Sequence, residues 1–486
     1  NYGAAGRRIF DVGRDLQPVV NTNHNFLPPK MFSRLSGRTW LVTATAAGAY
    51  MGSRSRCGGE KEKEDRKIVI IGGGTAGLGV AAMLRNEGFR NVKLVEPNSQ
   101  HYYQPLWTLV GGGIMDNALT ARGMEDVLPS GVEWVQKRAK TFDPSHNRVA
   151  LEDGTSVDYD VMVVAAGIQI DWNKIPGLVQ GLGKEGSGVV SIYDYKYCEK
   201  TWREIKPFLD KPTSKLLFTM SPTLIKCAGA PQKIMWLVED TLRGLGKREG
   251  ADISFWTPGA AMFGVKHYSD KLEALREARG VRGVFHHELV GIDLDSKTAT
   301  FKDKRSGGLV AEPFDVLHVA PHMSAPDFIK ASPLAGEQGW VAVDQATLQS
   351  TKFDNVFALG DCISTPNSKT AAAITSQAPV LVHNLMKFVE GKPLDGAYKG
   401  YSSCPILIGK NKVMLAEFGY GGKLMETFSA ETGKFPLSLL GQEGALQERL
   451  FYFLKRTVLP FAYWNMWVKG RWYGTNGPFK PDVTKK

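Results

Sequence analysis

The feature that most constrains this chain is the turn Gly72-Gly73-Gly74-Thr75-Ala76-Gly77 and what stands on either side of it. Before it runs Ile68-Val69-Ile70-Ile71, an unbroken apolar stretch that reads as a buried parallel strand within Lys67–Gly72. After it, Val80–Glu87 reads as helix and Val92–Glu96 as a second strand, ending in an acid about 20 residues past the turn. A lone G-x-G-x-x-G is a weak signal, but between a strand and a helix, with Glu96 at that distance, it is a dinucleotide site. Gly72 permits the tight turn. Gly74 lets a pyrophosphate approach the backbone at the positive helix N-terminus, and Gly77 allows the helix to pack closely on the strand. Glu96 can accept hydrogen bonds from a ribose diol.

The same alternation recurs. Asp160–Gly167, Lys215–Met220, Ala251–Thr257, Val316–Ala320 and Val356–Gly360 read as buried strands, and Ile234–Leu245 and Ala371–Val389 as helices. The expected fold is α/β: two nested Rossmann-like dinucleotide-binding domains. Tyr159–Gly167, a strand ending in Ala-Ala-Gly, and Asn355–Asp361, a strand ending in Gly-Asp, resemble the second and third fingerprints of the two-dinucleotide-fold flavoproteins. That resemblance implies FAD as the cofactor, with Asp361 on the flavin ribityl chain. The expected boundaries are 66–187 and 321–400 for the FAD-binding domain, 188–320 for the second Rossmann-like domain, and 401–486 for a C-terminal region.

The second domain has no glycine turn. Lys215–Lys233 carries Pro222, Leu224 and Ile225 where a pyrophosphate would need bare backbone, so the electron donor is not expected to be a nicotinamide. Cys227 stands there instead. Lys226 is adjacent and Pro231 suits the first turn of the following helix. A thiol near a cation and a helix N-terminus is acidified, which makes Cys227 a candidate reactive thiol. The second candidate is Cys404, which lies well after the flavin motifs, where the resemblance to the two-dinucleotide-fold flavoproteins implies that the chain returns toward the flavin ring. The five cysteines include no C-x-x-C pair and no zinc spacing, so no metal is expected. Cys198 and Cys362 read as packing residues.

Lys226-Cys-Ala-Gly-Ala-Pro-Gln-Lys-Ile-Met235 and Tyr401-Ser-Ser-Cys-Pro405 resemble the two redox-cysteine segments of animal-type mitochondrial sulfide:quinone oxidoreductases. Phe357–Cys362, Asn367–Ala373 and Phe461–Met466 are similar to the same family, and the resemblance spans about residues 66–475. It implies that Cys227 and Cys404 pair beside the flavin, directly or through a bridging sulfur. Hydrosulfide attacks Cys404 and leaves a persulfide there. Cys227 departs as a thiolate and passes two electrons on through FAD to ubiquinone. A small acceptor such as glutathione or sulfite removes the sulfur. Flavin contacts are implied for Thr75, Gln104, Ala139 through its backbone, and Lys369. His322 stands where the family pattern has a proline, and it reads as a surface or packing residue.

The stretch to about Cys57 carries Arg7, Arg8, Arg14, Lys30, Arg34, Arg38, Arg54 and Arg56 against Asp11 and Asp15, a transit-peptide composition. Residues 1–58 are therefore expected to be a mitochondrial presequence that takes Cys57 with it. Its apolar run Trp40–Met51 is too short to span a bilayer. The net charge of +11 comes with no nucleic-acid signature. Near the other end, Leu446, Leu450, Phe453 and Leu454 make an apolar helical face flanked by Arg449, Lys455 and Arg456. Phe461, Tyr463, Trp464, Trp467, Trp472 and Tyr473 come after it. Aromatics and basics at a helix end suit monotopic insertion, expected here at the matrix side of the inner membrane. The competing readings are an NADH:quinone oxidoreductase, which needs the missing second glycine turn, and a non-catalytic flavin module, which needs neither cysteine near the flavin.

Overall fold

A computed structural model of the chain describes residues 63–211, 213–429 and 445–484. The expected presequence and Cys57 lie outside the described residues. Two parallel five-stranded sheets organise the rest. The first has the order Val356–Ala358, Val161–Val164, Ile68–Ile71, Val92–Val95, Val132–Val135. Ile68, Val69, Ile70 and Ile71 are all buried, as a central strand with both faces covered requires. Each such side chain contributes about 1.5–3 kcal/mol relative to exposure. The helix Thr75–Asn86 crosses to Val92–Val95, and the helix Ala371–Val389 packs against it.

The second sheet has the order Val189–Val190, Val316–His318, Ser214–Thr219, Ala251–Trp256, Arg282–Val284, again parallel throughout. The helix Ala230–Gly244 comes after Ser214–Thr219 and is buried along most of its length. The helices at Thr75 and Ala230 both start earlier than the apolar pattern suggests. Close packing favours Gly77 inside the first, and Pro231 sits in the second's first turn, where its missing N–H costs nothing.

The C-terminal region supplies the element that joins the two halves of the site. Ser402–Gly409 and Lys412–Phe418 form an antiparallel hairpin in which Cys404 pairs with Ala416. One strand packs on the helix Ala230–Gly244, and the other packs under the helix Ala445–Phe453. The chain then makes a π-helical turn over Leu454–Val458 and a further helix, Leu459–Asn465. Among the described residues no helix is long and apolar enough to cross a membrane.

The aromatic residues of this segment are a correction to the sequence reading. Leu446, Leu450, Phe453 and Phe461 are exposed, but Tyr463, Trp464 and Trp467 are buried. The extra residue of a π-turn rotates the downstream helix about its axis. Tyr463 and Trp467 thereby face the first sheet's glycine turn. Lys455, expected on the polar face, is turned inward and buried as well.

Candidate active site

The carboxyl ends of the first sheet's strands open onto a cavity of about 570 Å³, where ligands of open α/β sheets bind. Its wall includes Gly72, Gly74, Thr75, Glu96, Gln104 and Asp361, together with Cys227 and Lys369. The three glycines have distinct local geometry. Gly72 has φ 103°, and a Cβ there would lie 2.5 Å from the Ala165 carbonyl oxygen. A Cβ on Gly77 would collide with the Gly72 carbonyl, so helix and turn are in contact there. A Cβ on Gly74 would meet nothing within 4 Å; it would project into open space. That free space at the first turn of a helix fits a pyrophosphate. Glu96 braces the turn: its Oε2 accepts from the Gly73 N–H at 2.7 Å, and its Oε1 accepts from the Asn98 N–H at 2.8 Å. Burial pushes the Asp361 carboxyl up, against the opposing charges of Lys369 and Lys226.

The C-terminal segment locks this turn. Tyr463 Oη and Thr75 Oγ1 are 2.9 Å apart, and Trp467 Nε1 donates to the Thr75 carbonyl at 2.9 Å. His101 Nε2 lies 2.6 Å from Tyr463 Oη, and its Nδ1 lies 3.0 Å from the Gly73 carbonyl. Burial lowers the His101 pKa to about 4, so the ring is neutral.

The cysteine pair sits where the Cys227 loop of the second domain meets the C-terminal hairpin. Cys227 Sγ and Cys404 Sγ are 3.2 Å apart, two free thiols in contact, beyond the about 2.05 Å of a disulfide bond. Two local features allow this. Cys227 has φ 60°, a left-handed backbone rare outside glycine. It is held there by its N–H donating to the Lys369 carbonyl at 2.8 Å, and its own carbonyl accepts from the Ala230 N–H at 2.8 Å. Strained backbone of this kind clusters at functional sites. Second, Gly229 leaves room for Cys404: a Cβ there would lie 2.5 Å from Cys404 Sγ.

The electrostatics divide the pair. A hydrogen bond from Cys404 holds the Cys227 thiol well below its usual range. Burial opposes that, and the Lys233 ammonium, 3.3 Å away, adds to it. Cys404 is pushed well up by its bond to Cys227 and by burial. The hydrogen bond from Lys233 favours negative charge on Cys227 over Cys404. Burial works against the charge on Lys233, but the two sulfurs more than offset it, and its pKa is raised. Lys455 donates to the Pro105 carbonyl at 3.0 Å; burial, then repulsion from Lys233, lowers its pKa to about 7. Lys226 donates to Gln104 Oε1 at 2.8 Å, with a pKa that burial lowers to about 8. Lys369 donates to the Ile363 carbonyl at 3.0 Å. Anionic sulfur species suit such a lysine-lined wall.

Most of the residues singled out from sequence reach the cavity wall. Gly77 lies behind it, under the glycine turn, and Cys404 lies just behind it between the wall residues Ser403 and Pro405. Ala139 is not brought there; it begins an outlying three-stranded sheet. Cys198 and Cys362 are buried, with sulfur contacts to backbone carbonyls. His322 is away from the cavity, 3.7 Å from Glu288. Among the described residues no group of three or more His, Cys, Asp or Glu could hold a metal. Sequence reasoning missed Lys233, His101 and Gly229. Lys233 lies within the Cys227 segment, but only its placement in the first turn of Ala230–Gly244 turns it toward the sulfur.

The chain is similar to known proteins in sequence and in fold. Residues 50–197 match the model of the pyridine nucleotide-disulphide oxidoreductase family. The mitochondrial sulfide:quinone oxidoreductase of Dictyostelium discoideum is 44% identical over 443 residues, covering 89% of this chain and 93% of that protein. The mitochondrial sulfide:quinone oxidoreductase of Mus musculus is 40% identical, covering 85% of this chain and 88% of its own. The crystal structure of the sulfide:quinone oxidoreductase from Aquifex aeolicus superposes with a TM-score of 0.67 at 17% identity, over 82% of this chain and 92% of that one. The chain belongs to the mitochondrial sulfide:quinone oxidoreductase family, flavoenzymes whose cofactor is FAD.

Proposed function

We propose that this protein oxidises sulfide at the Cys227–Cys404 pair and passes the electrons through FAD to ubiquinone. The observation that carries the reading is the 3.2 Å contact of two free cysteines at the dinucleotide cavity, with Cys227 on its wall and Lys233 hydrogen-bonded to that sulfur. In the oxidised resting pair, closed directly or through a bridging sulfur, hydrosulfide attacks Cys404. In a direct disulfide the Cys404–Cys227 bond breaks, a new S–S bond forms on Cys404, and the electron pair leaves on Cys227 Sγ; where a sulfur bridges the pair, the bond from Cys404 to that sulfur breaks and the electron pair leaves on it, as a Cys227 persulfide. Lys233 stabilises the leaving thiolate or persulfide at Cys227, which is why the Cys227 side rather than Cys404 departs. FAD, when bound, supplies the two-electron carrier between the pair and the quinone. Gly74 and the turn around it hold the pyrophosphate, Glu96 the ribose, Asp361 the ribityl chain, and Gln104 and Lys369 flank the reacting end. Thr75 is set by Tyr463 and Trp467.

The sulfur then leaves to a small nucleophile such as glutathione or sulfite, drawn by the cavity lysines. We assign residues 66–187 and 321–400 to the FAD-binding domain, 188–320 to the cysteine-bearing second domain and 401–486 to a quinone- and membrane-facing region. Leu446, Leu450, Phe453 and Phe461 form the face that meets the lipid, on the matrix side of the mitochondrial inner membrane, where ubiquinone resides. Detergent-purified protein should reduce a short-chain ubiquinone on addition of sulfide and release one sulfane sulfur to sulfite or glutathione per quinone. Quinone reduction driven by NADH and not by sulfide would overturn the proposal.

A further inference from the structure

Tyr193 lies between the strand Val189–Val190 and the helix Tyr195–Ile205, and it lines the cavity with Cys227 and Lys233. The residue is 3% exposed, and its hydroxyl has no hydrogen-bond partner among the described residues. Several buried polar side-chain atoms share that lack, but Tyr193 is the one among them that lines the cavity. Burial pushes its pKa well above 10, and the charges on Cys227 and Cys404 push in the same direction. The hydroxyl therefore keeps its proton and can act as a donor.

A buried hydroxyl without a partner is costly, and one on the wall of a ligand cavity points to a partner that the cavity receives. The reaction proposed above adds one atom beside this pair, the sulfane sulfur. HS⁻ attacks the oxidised pair and yields Cys404–S–SH and the Cys227 thiolate or, from a bridged pair, the Cys227 persulfide, and loss of the Cys404 persulfide proton leaves Cys404–S–S⁻. Lys233 is hydrogen-bonded to Cys227 and also interacts with Cys404, so it serves the two cysteine sulfurs. The atom that the reaction adds, the outer sulfur, lies beyond both and can take a further donor. We infer that the Tyr193 hydroxyl donates a hydrogen bond to the outer sulfur of the Cys404 persulfide, and so is a catalytic residue of the sulfide half-reaction. This rests on the cysteine-pair reading of the site.

The test uses detergent-solubilised holoenzyme, wild type and Tyr193→Phe, mixed anaerobically with limiting sulfide. A small alkylating agent is then added over a range of pH, and the Cys404 peptide is weighed. A hydroxyl that serves the persulfide rather than the fold or the flavin requires that Tyr193→Phe keep its flavin content, flavin spectrum and melting temperature. Formation of the Cys404 persulfide should slow about 10- to 100-fold, the worth of a hydrogen bond to a charged group. The pH of half-modification should rise, since the anion has lost its donor. The kcat/KM for quinone, which reports the other half-reaction, should not move. An unchanged rate and pH profile would overturn the inference, as would loss of flavin or of the fold, which would make the hydroxyl structural. A shifted flavin spectrum with unchanged persulfide behaviour would also overturn it, by giving the hydroxyl to the flavin. Absence of any added sulfur on Cys404 in the wild type would instead refute the underlying cysteine-pair reading.

Discussion

Gly229→Ala tests the geometry of the cysteine pair without touching either sulfur chemically. Gly229 has φ −84° and ψ −7°, ordinary helical backbone, so alanine brings no conformational strain. It does bring a Cβ that would lie 2.5 Å from Cys404 Sγ, with Ile406 Cγ1 at 3.2 Å. Carbon and sulfur need about 3.5–4.0 Å, so the sulfur or the helix start must move by about 1 Å. Cys404 is held in a buried strand paired with Ala416, and its cheapest escape is a rotation that takes Sγ away from Cys227. Overpacking of this kind costs about 1–3 kcal/mol of stability, a tolerable loss for a domain of this size. Misplacing reacting atoms by that distance costs about 100-fold in rate. The variant should therefore purify with bound flavin, melt a few degrees early, and turn over sulfide about two orders of magnitude more slowly. Diamide treatment should oxidise its cysteine pair poorly compared with wild type. Wild-type turnover with normal closure of the disulfide would refute the proposition that close approach of Cys404 depends on a bare Gly229.

The same structure sets three further outcomes. Lys233→Met should raise the pH midpoint of Cys227 alkylation by about one unit or more, because the thiolate loses its nearest cation; an unmoved midpoint would show that Lys233 does not tune the sulfur. Trp467→Ala removes a fully buried side chain that caps Thr75 and fills the space beside Gly79. It should cost about 3–5 kcal/mol and lower FAD retention, read by melting and by flavin-to-protein ratio, and full retention would contradict the clamp. His101 carries a folded-state pKa near 4 against about 6.5 unfolded. In that window the unfolded chain binds more protons, so its contribution to stability is complete above pH 6.5 and is lost as pH falls toward 4. A melting series over that range should be steeper for the wild type than for His101→Asn; parallel curves would count against a neutral buried ring.

The two Rossmann-like sheets were legible because their information is local. Ile68–Ile71 and Val161–Val164 are apolar runs whose length and flanks decide their state. The glycine turn was legible for a similar reason, since Gly72 and Gly77 answer contacts at the ends of neighbouring parallel strands. The cysteine pair is different. Cys227 and Cys404 are 177 residues apart, and no periodicity joins them; family resemblance supplied the pairing, and the hairpin on Ala230–Gly244 supplies the contact. The C-terminal segment misled because its polarity pattern assumes a regular α-helix. A π-turn at Leu454–Val458 changes the phase, and from there on Lys455 and Trp467 are buried while Phe461 is left outside. Hydrophobicity alone does not tell an aromatic that meets lipid from one that meets a glycine on the next helix.

The most direct test of the central claim is anaerobic stopped-flow absorbance of the purified holoenzyme mixed with sulfide and then with a short-chain ubiquinone. The cysteine-pair account predicts rapid loss of the oxidised-flavin absorbance, its return on quinone addition, and the absence of both in Cys227→Ala and Cys404→Ala. Bleaching by sulfide that survives in both variants, or a flavin that responds to NADH and not to sulfide, would contradict it.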